Sequence, residues 1–305
     1  MLNQNDRVVS DGRLPVYALT GAGGHLGRLV LASLLNLVPA KQILATTRQP
    51  EQLADFAAQG VVVRHADFND PSTLPAAFSG ATRLLIISTG NYKEIQSGQR
   101  IVQHRAAIAA AVNAEVRHIT YTSCPNATNA DVEDPLIRDH GQTEIALAES
   151  GVPWTALRNN VYMAGLPYFL GALRIGDQLL VPEGSIKPCW VTHEDCARTA
   201  ASVLVGKVAF TGAVDVTGPE ALGFADLAQR WSSLQGRKVS AQVLPDKEVI
   251  ERLVAKGMPL QSAQGIVGNA RGMLRLNAVP ADTVKRATGK PPTSVDGLLR
   301  KLVMA

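Results

Sequence analysis

Short apolar runs take turns with stretches of helical periodicity along the first half of the chain. Val16 to Leu19, Gln42 to Thr47, Val61 to Arg64, Arg83 to Ser88, His118 to Thr122 and Trp154 to Arg158 have the length and apolar density of buried strands. Between them, Glu51 to Gly60, Ser72 to Ser79, Gln99 to Ala114 and the stretch beginning Leu26-Gly27-Arg28 repeat their apolar residues at helical spacing. Regular alternation of this kind predicts an α/β fold, a doubly wound parallel Rossmann sheet joined by right-handed crossovers. Ala213 to Thr217 supplies a seventh strand, and Val239 to Leu244 predicts a strand in a smaller C-terminal α/β lobe. Helices are expected over Ala197 to Leu204, Phe224 to Gln235, Asp246 to Lys256 and Val295 to Val303. Gln261 to Leu276 also repeats helically, but Gly265, Gly268 and Gly272 weaken it by about 1 kcal/mol each, which makes it a candidate lid. The pattern divides the chain into a flexible tail over 1–14, a Rossmann domain over 15–160 whose strands continue to about 218, and a lobe over 161–305 interleaved with it.

The first strand runs directly into Thr20-Gly21-Ala22-Gly23-Gly24-His25-Leu26-Gly27, and a helix pattern begins there. Strand, glycine turn and helix in that order form the setting of a dinucleotide site. Gly21 permits the tight turn, Gly23 or Gly24 lets the backbone approach a pyrophosphate, and Gly27 lets the helix pack closely on the strand. The amides of this turn and of His25 and Leu26 lie where the helix dipole favours an anion.

The end of the second strand selects the nucleotide. A carboxylate there would bind the ribose hydroxyls of NAD, but Arg48 stands in that place, and arginine meets the additional 2'-phosphate of NADP. NADP(H) is therefore the expected cofactor. Asp67 and Phe68, after the third strand, are expected to flank the adenine, and the small residues Ser88, Thr89 and Gly90, after the fourth, leave room for a ribose against the backbone. The lobe over 161–305 then becomes the expected substrate-binding part, with Tyr162, Met163, Tyr168, Phe169 and Trp190 as candidates for a flat aromatic pocket or for ordinary core packing.

The series TGAGGHLG, ATTR, HADF, LLIIST, YTS, HGQTE and LRNNVY resembles the NmrA-like family of atypical short-chain dehydrogenase/reductases, and within it the flavin-independent, NADPH-linked reductases of quinones, azo dyes and triphenylmethane dyes. The likeness runs from about residue 15 to the C-terminus. Many relatives carry Thr between the first glycines, where this chain has Ala22. The resemblance adds Thr122, Ser123, Asn159, Val161 and Tyr162 to the expected cofactor contacts; of the pocket candidates, Tyr162, Met163 and Trp190 are the expected substrate contacts. It also exposes a departure from the wider superfamily: the aligned helix has His140 and Glu144 where typical members have a Tyr and a Lys.

That departure bears on the chemistry. An alkoxide released by ketone reduction is a strong base and needs a proton donor, whereas a quinone yields a phenolate-like anion of pKa about 10 that water or a weak acid can protonate. The expected reaction is hydride transfer by placement to a planar, electron-poor acceptor such as a quinone, an azo dye or a triphenylmethane dye. His140 is a candidate local donor, its alternative being a structural role with Glu144 beside Arg158 and Asn159. Because the NmrA-like family includes redox-sensing regulators, a nonenzymatic NADP(H)-binding sensor is the second reading.

Composition narrows the partners. A net charge of +4 without a dense Lys/Arg run argues against nucleic acid, and no apolar stretch of about 18 residues argues for a membrane span. The polar N-terminus lacks a signal-peptide core, so a cytoplasmic protein is expected, as a monomer or homodimer. Cys124, Cys189 and Cys196 have no metal-binding spacing, no HExxH motif occurs, and the one nucleotide fingerprint is of the pyridine-dinucleotide type; neither metal nor flavin is expected.

Overall fold

The computed structural model describes residues 14–129, 134–184, 187–236, 238–272 and 279–304. Its elements in chain order are β1 (Tyr17–Leu19), α1 (His25–Leu35), β2 (Ile43–Thr47), α2 (Ala54–Ala57), β3 (Val62–His65), α3 (Leu74–Phe78), β4 (Arg83–Ile86), α4 (Tyr92–Ser97), α5 (Gln99–Asn113), β5 (His118–Ser123), α6 (Pro135–Glu149) and β6 (Trp154–Asn159). They continue with α7 (Leu166–Ala172), β7 (Arg174–Ile175), β8 (Gln178–Pro182), α8 (His193–Leu204), β9 (Gly212–Val216), α9 (Phe224–Gln235), β10 (Ser240–Leu244), α10 (Asp246–Ala255), α11 (Leu260–Gly272), α12 (Thr283–Thr288) and α13 (Asp296–Met304). The expected tail over 1–14 falls, apart from Leu14, outside the described residues.

The chain forms two units. The first comprises the described residues within 14–159, 193–216 and 283–291. Its seven strands lie in the order β3-β2-β1-β4-β5-β6-β9, every neighbouring pair parallel. Buried strands explain why the sequence reads as apolar runs: Ala18, Leu44, Leu84, Ile119 and Ala156 are all sealed in one core with Phe78 and Leu147. The order reverses between β1 and β4, one strand leading outward on each side, and this is the switch point at which open parallel sheets bind ligands.

The second unit comprises the described residues within 160–192, 217–282 and 292–304 and has a three-stranded sheet, β10-β8-β7. β10 was expected; its parallel partner β8 and the antiparallel β7 form a hairpin about Gly176 and Asp177 that the sequence pattern did not reveal. α11 runs unbroken to Gly272 despite its glycines, because Ala263, Ile266, Val267 and Ala270 form one buried face that packs into this unit's core. The rest of the candidate lid, residues 273–276, lies outside the described residues.

Candidate functional site

A cleft of about 440 Å³ opens in the first unit at the carboxyl ends of its central strands. Thr20, Gly21, Gly23 and Gly24 line it from the glycine turn, Arg48 from the end of β2, Asp67 and Phe68 from beyond β3, and Ser88, Thr89 and Gly90 from beyond β4. Ten of the residues singled out in the sequence thus converge on one surface. The convergence has a local cause: Gly21 adopts φ +62°, a left-handed conformation that favours glycine, and turns the chain out of β1. A Cβ on Gly27 would stand 2.2 Å from Gly21 O and 2.7 Å from Ala22 Cα, so only glycine lets α1 start this close to the turn. The Thr20 hydroxyl accepts from Ile87 N at 3.1 Å and ties the turn to the loop after β4.

Arg48 is exposed at the rim of this cleft. Arg28, the nearby arginine of α1, is already paired with Asp55 at 2.5 Å and donates to Gln52 O at 3.0 Å. Among the described residues no carboxylate pairs with Arg48, so its charge remains available to a ligand. Thr47, Gln49 and Gln52 line the same corner and supply neutral donors that the sequence reading missed. Their signal was present, because they bracket Arg48 at the carboxyl end of a predicted strand.

The other predicted residues lie elsewhere. His25, Leu26 and Gly27 form the first turn of α1. The Thr122 hydroxyl accepts from Ser88 N at 2.8 Å and donates to Ser88 Oγ at 3.1 Å, so it braces the cleft loop from behind. Ser123 Oγ donates to Glu144 Oε1 at 2.6 Å, and Glu144 in turn takes two donors from Arg158, at 3.0 and 2.6 Å. Arg158 also reaches Thr128 Oγ1 at 3.1 Å. Glu144 is buried with its carboxylate fully engaged, and Asn159 is buried beyond it.

Of the two readings given for His140, a local donor or a structural residue, the position of its side chain fits the second. It is only 5% exposed and faces the interior rather than a substrate space. Arg100 Nη2 donates to its Nε2 at 2.9 Å, which leaves the proton on Nδ1 to be donated to Tyr121 Oη at 2.8 Å. Burial, then the charges of Arg100 and His104, holds its pKa well below the usual value for histidine. A neutral imidazole with both nitrogens occupied in the core is not placed to protonate a substrate.

Four further residues belong to this interior network. Arg100, Gln103 and His104 sit at i, i+3 and i+4 on the buried face of α5, and Thr143 on α6. His104 Nδ1 meets Thr143 Oγ1 at 3.0 Å, and that hydroxyl donates to Asp139 O at 2.8 Å. Their signal lay in the register, since the three α5 residues share a face with Ala107 and Ala111. Cys124 is buried as well, and that burial pushes its thiol up to about 12 and leaves it inert.

In the second unit, Met163 and Trp190 belong to the hydrophobic core, 4% and 1% exposed, and Trp190 Nε1 donates to Leu222 O at 2.7 Å. Their expected place on an acceptor pocket gives way to packing, because a side chain sealed on all sides has no face left for a ligand. Val161 packs partly buried against that core, and Tyr162 is half-buried, bridging to Val191. Among the described residues no group of His, Cys, Asp and Glu is arranged to hold a metal ion, and no helix is long and apolar enough to cross a membrane.

Comparison with known proteins bears on the family and the fold. The sequence profile of the NmrA-like family matches residues 16–285. Quinone oxidoreductase 2 of Escherichia coli is 34% identical over 289 residues, covering 92% of this chain and 96% of that one. The NAD(P)H azoreductase of Xenophilus azovorans is 27% identical, with 90% and 93% covered. Among solved structures, the Citrobacter sp. triphenylmethane reductase complexed with NADP(H) superposes with a TM-score of 0.79 at 31% identity, covering 94% of this chain and 99% of that one.

Proposed function

The chain belongs to the NmrA-like family, and on that premise we propose that it is an NADP(H)-dependent oxidoreductase, a flavin-free reductase of planar, electron-poor acceptors of the quinone, azo dye or triphenylmethane dye class. The observation that carries the reading is the cleft at the switch point, with a left-handed glycine turn on one side and, at the end of β2, an exposed arginine that no carboxylate among the described residues pairs. The relatives named for quinone and azo reduction, and the NADP(H) complex of the dye reductase, support the same assignment.

Bound NADPH supplies a hydride from its nicotinamide. The residues of this chain do the rest by placement. The Gly21–Gly24 turn takes the diphosphate on backbone amides at the start of α1, whose first turn holds no acid to repel it. Arg48 takes the 2'-phosphate, Asp67 and Phe68 flank the adenine, and Ser88 to Gly90 receive the ribose. In the second unit Tyr162, half-buried, and Tyr168, exposed, are aromatic candidates for the acceptor, while Phe169 packs partly buried against the core. The interior position of His140 and Glu144 bears on the acceptor class. With neither side chain offered as a proton donor, the acceptor that fits is one whose reduced form is a weak base or, for a cationic dye, needs no proton at the hydride step.

The test is NADPH oxidation by the purified protein, its flavin content measured, against quinones, azo dyes and triphenylmethane dyes, with NADH in parallel. Turnover with NADPH preferred supports the reductase and ranks the acceptors. Tight NADPH binding without turnover across the panel would instead identify a sensor.

A further inference from the structure

Thr89 lies in an irregular stretch between β4 and α4, where no strand partner serves its backbone, yet each of its polar groups meets a buried side chain of α5. Arg100 Nε donates to Thr89 O at 2.8 Å, Thr89 N donates to His104 Nε2 at 3.3 Å, and Thr89 Oγ1 donates to Gln103 Oε1 at 3.4 Å. These three side chains are at most 1% exposed. Placing a guanidinium, an amide and an imidazole side by side in a helix face that could have been apolar is costly unless each is bonded, and here each makes at least one of its bonds to the wall of the cleft.

The same face reaches the opposite wall. Gln103 Nε2 donates to Asn69 Oδ1 at 2.8 Å, and the His104 ring stands edge-on to Phe68, 6.5 Å between centroids at 87°. Asn69 and Phe68 line the cleft from beyond β3, Thr89 does so from beyond β4, and Gln103 itself reaches the cleft from α5. From these contacts we infer that Arg100, Gln103 and His104 are positioning residues for the dinucleotide: α5 acts as a clamp that fixes the loops after β3 and β4 at the separation the nucleotide requires. The inference rests on the reading of the cleft as an NADP(H) site.

The chemistry of His104 fits the role. Thr89 N is a donor, so Nε2 must keep its lone pair and the proton must sit on Nδ1, toward Thr143. Burial, aided by the neighbouring Arg100, lowers its pKa to about 3, so the acceptor persists throughout the physiological range.

The test compares wild type, His104→Leu, His104→Gln and Gln103→Met, each checked for folding by circular dichroism, in NADPH binding and in steady-state kinetics with a quinone. Glutamine can return an acceptor oxygen near the place of Nε2; leucine cannot. Expected for His104→Leu is a rise of roughly tenfold in Kd and KM for NADPH, as befits a buried donor left unpaired, with the quinone KM unchanged. His104→Gln should recover most of that loss, and Gln103→Met should weaken NADPH binding severalfold. If His104→Leu does not fold, Gln103→Met decides. Wild-type NADPH affinity in the folded variants, equal loss in His104→Gln and His104→Leu, or a parallel rise in the quinone KM would overturn the clamp. A wild-type protein that binds no NADPH would instead overturn the reading of the cleft.

Discussion

Replacing His140 by alanine separates a proton donor from a structural residue. In the folded protein its Nε2 accepts from Arg100 at 2.9 Å and its Nδ1 donates to Tyr121 at 2.8 Å, all three side chains being buried. His140→Ala deletes a bond to a charged group, typically about 1.5–3 kcal/mol, and leaves the Tyr121 hydroxyl short of a partner for about 1 kcal/mol or more. The space vacated by the ring adds to the loss, so a destabilisation of about 3–5 kcal/mol is expected. At about 2–4 °C per kcal/mol for a unit of this size, the thermal midpoint should fall by roughly 10 °C. His140→Gln, which can return an acceptor to Arg100, should lose less. Acid-base behaviour should not change, because the imidazole stays neutral far below pH 6.5. The assay is therefore a melting curve paired with the pH dependence of kcat/KM, taken well below the variant's midpoint. A variant that melts like wild type but loses an ionisation from its pH profile would refute the reasoning and restore His140 as a donor.

Three other expectations follow from the site and its surroundings. Arg48→Glu should raise the KM for NADPH by roughly 10- to 100-fold, the worth of a charge-assisted hydrogen bond, and that for NADH far less; equal effects would show that Arg48 does not read the 2'-phosphate. Gly27→Ala puts a Cβ against backbone atoms at 2.2 and 2.7 Å that cannot swing aside, so it should cost about 1–3 kcal/mol and weaken NADPH binding; a wild-type midpoint and affinity would contradict the packing argument. His104 and His118 both have their pKa lowered to about 3, chiefly by burial, so between pH 6.5 and 5 the unfolded chain binds more protons than the folded one. Stability is full above pH 6.5 and should fall with acid by up to about 1.4 kcal/mol per pH unit for each, seen as a dropping thermal midpoint that His118→Gln makes less steep; a midpoint that is flat over this window would be inconsistent with neutral burial.

That the residues singled out for a nucleotide would share one cleft was legible because their signals are local. A strand, a glycine turn and a helix within a dozen residues must form a loop at a strand's carboxyl end, and the residue closing the next strand must stand beside it. Thr20, Gly21, Gly23, Gly24, Arg48, Asp67, Phe68 and Ser88 to Gly90 accordingly meet in one cleft. The β7–β8 hairpin escaped notice because two residues and five give too short a run to show a period. The glycines of α11 misled in the other direction, since a buried apolar face offset their weak helical propensity.

The amino-acid order by itself determined the parallel sheet, its switch point, the glycine turn and the arginine at the second strand's end, all of which depend on contacts within a few residues or on the burial of whole runs. The tertiary structure alone decided which way the polar side chains of α5 and α6 face. Spacing placed His140 and Glu144 on one side of a helix, but only packing against Arg100, 40 residues earlier in the chain, and Arg158, 14 residues later than Glu144, turned that side inward. It likewise sealed Met163 and Trp190 in a core that an aromatic residue in a sequence cannot reveal. The physical reason is common to these cases: periodicity fixes which residues share a face, while the partners that bury a face come from distant segments.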